Sequence, residues 1–156
     1  MHKKLLVTAY FVIAALLQTL AGNFPLSFFA FPLNVIVAVI WIYSLWRLYK
    51  EGNKLPLTRF LLSSRTSVLS ILLLIGGLFP QLSEAEADSI PGVLASLGCY
   101  NFMTSWIFIA ILFLLLSNLA MVIIHAFYHC VPAKKRFILN HLGLWLALFA
   151  GFFGSS

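Results

Sequence analysis

The stretch FMTSWIFIAILFLLLSNLAMVIIHAFY, residues 102–128, contains no Asp, Glu, Lys or Arg. As a helix it would be about 40 Å long, at about 1.5 Å per residue. The hydrocarbon core of a bilayer takes about 20 apolar residues. Backbone groups in lipid must pair internally, which leaves helices or closed barrels. The apolar run is continuous rather than alternating, so it reads as a helix whose solvent is lipid. Composition agrees. Of 156 residues, 62% are hydrophobic and 9% charged, with a mean hydropathy of +1.03. Water-soluble domains carry about 25% charged residues, and one of this size cannot enclose so much apolar surface.

Four more segments qualify on either side of that stretch: 5–21, 32–48, 66–79 and 138–153. The third reaches span length only by adding 63–65, with Arg65 snorkelling to the surface. The expected fold is an all-α polytopic membrane protein with about five transmembrane helices.

The net charge of +6 comes from ten cations in three groups. These are Lys3 and Lys4; Arg47, Lys50, Lys54, Arg59 and Arg65; and Lys134, Lys135 and Arg136. Five crossings put all three groups on one side and the acids Glu84, Glu86 and Asp88 on the other. That is the positive-inside pattern, and it predicts an N-in, C-out topology. The cations then meet anionic lipid headgroups of the bilayer and are not a nucleic-acid footprint. Segment 5–21 also resembles a signal peptide, with Lys3-Lys4 before it and Thr19-Leu20-Ala21 at its end. Gln18 and its length favour a retained helix.

The connections carry their own signals. Phe24, Phe28, Phe29 and Phe31 suit an outer interface, and Pro32 suits a first helical turn. Trp41, Tyr43 and Trp46 lead into an inner basic loop, 47–65, whose Gly52 and Pro56 suggest a bend on the membrane surface. The outer loop, 81–100, is the most polar stretch. Pro132 marks a tight hairpin between the last two helices. Cys99 and Cys130 lie about 45 Å apart along about 30 mostly helical residues, beyond the roughly 7 Å that a disulfide spans.

No Asp or Glu falls within a span, which weakens a proton-driven transporter and a general acid–base hydrolase. No nucleophile elbow, zinc-protease motif or P-loop is present. Three histidines remain near the membrane. His125 and His129 stand at i and i+4 and share a face; His141 opens the last segment. Neutral imidazole binds metal or haem iron. All three could also serve plainer ends: His125 and His129 as wet interface residues, His141 as a local cap or hydrogen-bonding group at its helix start, or the three together as a zinc site. On the last helix Gly143, Ala147, Ala150, Gly151 and Gly154 form a small-residue stripe suited to close helix packing. His141 falls on another face with Leu144, Trp145, Leu148 and Phe152. That face would suit a haem edge or simply lipid.

Three stretches together resemble the ResB-type cytochrome c biogenesis proteins. FLLSSRTSVLSILLLIGGLFPQ (60–81) is similar to the first membrane segment of that family, through Ser63, Ser64, Arg65, Thr66, Pro80 and Gln81. YNFMTSWIFIAILFLLLSNLAMVIIHA (100–126) resembles the second, through Tyr100, Ser105 and Trp106. HLGLWLALFAGFFGS (141–155) resembles the third, which opens on His-x-Gly and ends on Gly-Ser. The resemblance divides the chain into residues 1–58, two added helices with the basic loop, and 59–156, a three-helix module with outer loop 81–100. It implies a multi-pass protein of the bacterial inner (cytoplasmic) membrane that binds and moves haem b for attachment to apocytochrome c. The partner would be a WWD-motif cytochrome c assembly subunit. His141 matches the family's axial haem ligand, and Trp145 would lie beside the haem; His125 and His129 match no ligand.

Two features depart from the family pattern. Residues 1–50 have no counterpart, and the outer domain that follows the third segment in relatives is not found before Ser156. No WWD segment occurs either. The chain alone is therefore not expected to be an enzyme, but a truncated, fragmentary or split part of a haem-attaching complex. A cofactor-free structural or assembly subunit is the rival expectation. A small transporter is a third, for which Asn118 and Asn140 leave some room.

Overall fold

The computed structural model describes residues 2–25, 30–52, 55–78, 92, 102–129 and 135–153. Six α-helices occur among them: α1 His2–Ala21, α2 Leu33–Lys50, α3 Pro56–Leu61, α4 Ser64–Leu78, α5 Trp106–Tyr128 and α6 Lys135–Phe153. A single 3₁₀ turn, Phe102–Thr104, precedes α5. Three helices, α2, α5 and α6, are long and apolar enough to cross a membrane. Shorter apolar helical segments cover Val7–Ala21 and Ser64–Ile75. The chain is thus all-helical, with the composition of a multi-pass membrane protein. The acids of loop 81–100, Phe28 and Phe29, Pro80, Gln81, Tyr100, the two cysteines, Pro132, Lys134 and Gly154 lie outside the described residues.

The chain divides into two compact units. One comprises Met1–Pro25 and Val68–Phe113, the other Leu26–Ser67 and Leu114–Ser156. In the first, α1 runs antiparallel to the start of α5. Tyr10 donates its hydroxyl to the Ala110 carbonyl at 2.8 Å, and Gln18 accepts the Trp106 backbone N–H at 2.8 Å. Gln18, polar but buried, is therefore a tie between helices. Its carbonyl also receives the N–H of Gly22 at 3.1 Å. Gly22 has φ +71°, the left-handed helix stop that glycine adopts without a Cβ clash. Phe24 packs edge-on to Trp106, centroids 4.8 Å apart.

In the second unit α2 runs parallel to α5 and antiparallel to α6. Trp41 donates to Ser117 at 3.1 Å and Trp46 to Tyr128 at 3.2 Å, in the same chain order. Asn34, at the start of α2, donates to the carbonyl of Phe153 at the end of α6, 2.9 Å away. It thereby satisfies one of the carbonyls a helix C-terminus leaves open. Trp41 is ringed by Trp145, Phe149 and Phe153, with centroids at 6.3 to 6.4 Å. Trp145 also donates its indole N–H to the Leu116 carbonyl at 3.0 Å.

The basic segment 47–65 is more structured than its Gly and Pro suggested. Leu55 is extended, as a residue before proline prefers, and Pro56 starts α3, where a missing N–H costs nothing. Thr58 and Leu61 are buried. The helix breaks at Leu62–Ser63 and resumes as α4. Side chains take three of the carbonyls at the break. The Thr66 hydroxyl donates to Phe60 at 2.6 Å, and the Asn118 amide donates to Leu61 and to Ser63 at 3.4 Å. Ser67 in turn donates to the Asn118 side-chain oxygen.

Candidate functional site

The sequence singles out four residues: His141 and Trp145 on α6, and His125 and His129 on α5. His141 is half-buried, seven residues into its helix. Its Nδ1 lies 2.9 Å from the carbonyl oxygen of Phe137. A carbonyl can only accept, so Nδ1 carries the proton. In the neutral ring the lone pair then sits on Nε2, the nitrogen at the outer edge of the imidazole. Metal-ligating histidines characteristically use this arrangement, one N–H held by a carbonyl and the other nitrogen offered to the metal. The Phe137 ring covers the imidazole at 3.9 Å between centroids, which further fixes its plane. This bond is the local role expected of His141 near its helix start, supplied by the carbonyl one turn earlier.

Trp145 has another task. Its ring stacks on Phe149 at 4.7 Å and, with Trp41, forms the aromatic seam that joins α6 to α2. Large aromatic rings bury 150–250 Å² each, so this seam is the packing face of α6. The small-residue stripe is not. Gly143, Ala147, Ala150 and Gly151 are exposed, and a Cβ on Gly143 or Gly151 would meet nothing within 4 Å. The expected packing face and the expected free face are exchanged, because ring area outweighs close backbone approach. His141 lies beside the seam, at its border with the exposed side of the helix.

His125 and His129 do share a face, with ring centroids 4.4 Å apart, and both are exposed. Tyr49 places its hydroxyl 3.2 Å from His125 Nδ1 and stacks on Tyr128 at 5.2 Å. The sequence pointed to the histidine pair but not to Tyr49, which arrives from α2. Among the described residues no three His, Cys, Asp or Glu side chains converge as a metal site; a three-histidine zinc centre is not formed there. No protein-family model, curated protein or solved structure matches this chain.

Proposed function

We propose that the chain is a haem-handling membrane subunit of a cytochrome c maturation complex, with His141 as one axial ligand. The observation that carries this reading is the His141–Phe137 hydrogen bond, which leaves Nε2 as the ligating nitrogen on a half-buried ring. It adds to the ResB-like order of segments. Haem is the cargo, and its iron accepts an imidazole nitrogen. The chain's own part is to orient that nitrogen and to cover one side of the ring with Phe137. Trp145 acts through packing, holding the helix that carries His141. The second ligand and the attachment step to apocytochrome c would belong to the WWD-bearing partner, so the chain itself is not an enzyme in this reading.

The reading includes five crossings of the bacterial cytoplasmic membrane, N-in and C-out. The helix directions within each unit support it. Helix α1 opposes α5 in the first unit; α2 follows α5 and α6 opposes it in the second. A discontinuous α3–α4 span supplies the crossing for which segment 66–79 is too short.

The test is co-expression with a WWD-bearing subunit and the visible spectrum of the purified complex. His141→Ala is expected to remove or shift the Soret band, and His141→Gln likewise. An unchanged haem content and spectrum in both variants would refute the ligand assignment. A second reading, a cofactor-free assembly subunit, is favoured by the exposed small-residue side of α6; a colourless wild-type complex is its signature.

A further inference from the structure

We propose that His125 and His129 form a docking site for a divalent late first-row transition metal, with copper(II) bound most tightly. The pair closes α5 at its basic end. The last turn is intact there, since the His129 N–H donates to the His125 carbonyl at 3.1 Å, so the two Cβ atoms are held one turn apart. The ring centroids are 4.4 Å apart, and the planes are tilted by 54°. Two histidines one turn apart on a helix face are a spacing that chelates a single metal ion. Both side chains are exposed, so an ion can reach them and keep water in its remaining positions. Two protein ligands are too few for a structural zinc site, which uses four. They are enough for an exchangeable site.

The surroundings supply the outer support such a site needs. Tyr49 stands 3.2 Å from His125 Nδ1. A phenol oxygen accepts as well as donates, so it can receive the Nδ1–H and hold the plane of the ring. Tyr49 is itself fixed by stacking on Tyr128, which accepts a hydrogen bond from Trp46. On α2, Lys50 is drawn onto the Trp46 ring, 3.9 Å from its centroid. The carbonyl end of α5 carries partial negative charge and favours a cation. Affinity for nitrogen ligands peaks at copper(II) and falls at zinc. This inference is independent of the haem reading, which rests on α6.

The experiment titrates copper(II) sulfate into the untagged full chain in phosphatidylcholine nanodiscs, followed by electron paramagnetic resonance and calorimetry. The background carries His2→Gln, because an N-terminal amine and a histidine at position two chelate copper by themselves. One copper per chain is expected, with hyperfine structure from two imidazole nitrogens. His125→Gln or His129→Gln should each weaken binding at least about tenfold, and Tyr49→Phe by about 10-fold, the usual cost of losing such a supporting contact. His141→Gln should leave it unchanged. The proposal fails if the parent chain shows no two-nitrogen copper signal. It fails equally if both glutamine variants, with unaltered helical circular dichroism, bind copper like the parent.

Discussion

Asn118 is fully buried in the middle of the most apolar helix, where an amide without partners is expensive. It has partners because α3 and α4 do not join smoothly. Its amide meets the carbonyls of Leu61 and Ser63, and its oxygen receives Ser67. Replacing it with Ala strands a carbonyl and a hydroxyl. Unsatisfied buried groups cost about 1–3 kcal/mol, while hydrogen bonds between membrane helices average about 0.6 kcal/mol because the unfolded chain finds other partners. The larger figure should prevail here, since a broken backbone has fewer substitutes than a side chain. Asn118→Ala is expected to lower stability by about 1–3 kcal/mol in reversible unfolding by SDS. Ser117→Ala, which loses only the Trp41 bond on a half-exposed residue, should cost less. Equal stability of Asn118→Ala and the parent chain would mean that the break is held by other contacts. The residue stood out in the sequence as a polar interruption. Its task did not, because no Gly or Pro at 62–63 announces the break that it repairs.

At the scale of elements, hydropathy located the helices but misjudged which side of α6 packs. A stripe of small residues and a stripe of rings are both plausible contact faces, and periodicity places both without ranking them. The ranking needs the partner. Trp41 on α2 offers a ring to Trp145, Phe149 and Phe153, and the carbonyl of Leu116 offers an acceptor to the Trp145 indole. Nothing comparable meets Gly143 or Gly151. Glycine inside a helix is about 0.8–1.0 kcal/mol less favourable than alanine, and no clash opposes a methyl group at either position. Gly143→Ala and Gly151→Ala should therefore each leave the stability of the isolated chain unchanged or raise it by up to about 1 kcal/mol. The same unfolding titration measures this. A clear loss of stability in either variant would show that the open side of α6 is covered in the folded chain. The α3–α4 segment shows the opposite balance. Gly52 and Pro56 suggested only a bend there, and neither the helix that Pro56 opens nor its burial was expected. Arg59 and Lys54 gave the loop a polar character that hides Thr58 and Leu61.

For the whole molecule, the distribution of charge and the direction of helices are independent lines of support for the same topology. The cations at 3–4, 47–65 and 134–136 fall on one side only if the chain crosses an even number of times between successive groups, with 66–79 counted as a span. The hydrogen bonds within each unit give the matching directions: Tyr10 and Gln18 pair backwards along α5, whereas Trp41 and Trp46 pair forwards. Charge acts during insertion, whereas helix pairing acts after it, so agreement between them is not built in. The two cysteines offer a direct check. Five crossings put Cys99 outside and Cys130 inside. In right-side-out vesicles a membrane-impermeant maleimide should label the Cys130→Ser variant through Cys99 and leave the Cys99→Ser variant unlabelled until the membrane is opened. Loss of the 66–79 crossing would exchange the two cysteines, with Cys99 inside and Cys130 outside, because α5 still crosses between them. The reverse pattern, with Cys99→Ser labelled from outside and Cys130→Ser unlabelled until the membrane is opened, would therefore remove that crossing. It would also detach the ResB-like reading from its first segment, because Arg65 and Thr66 would no longer open a span.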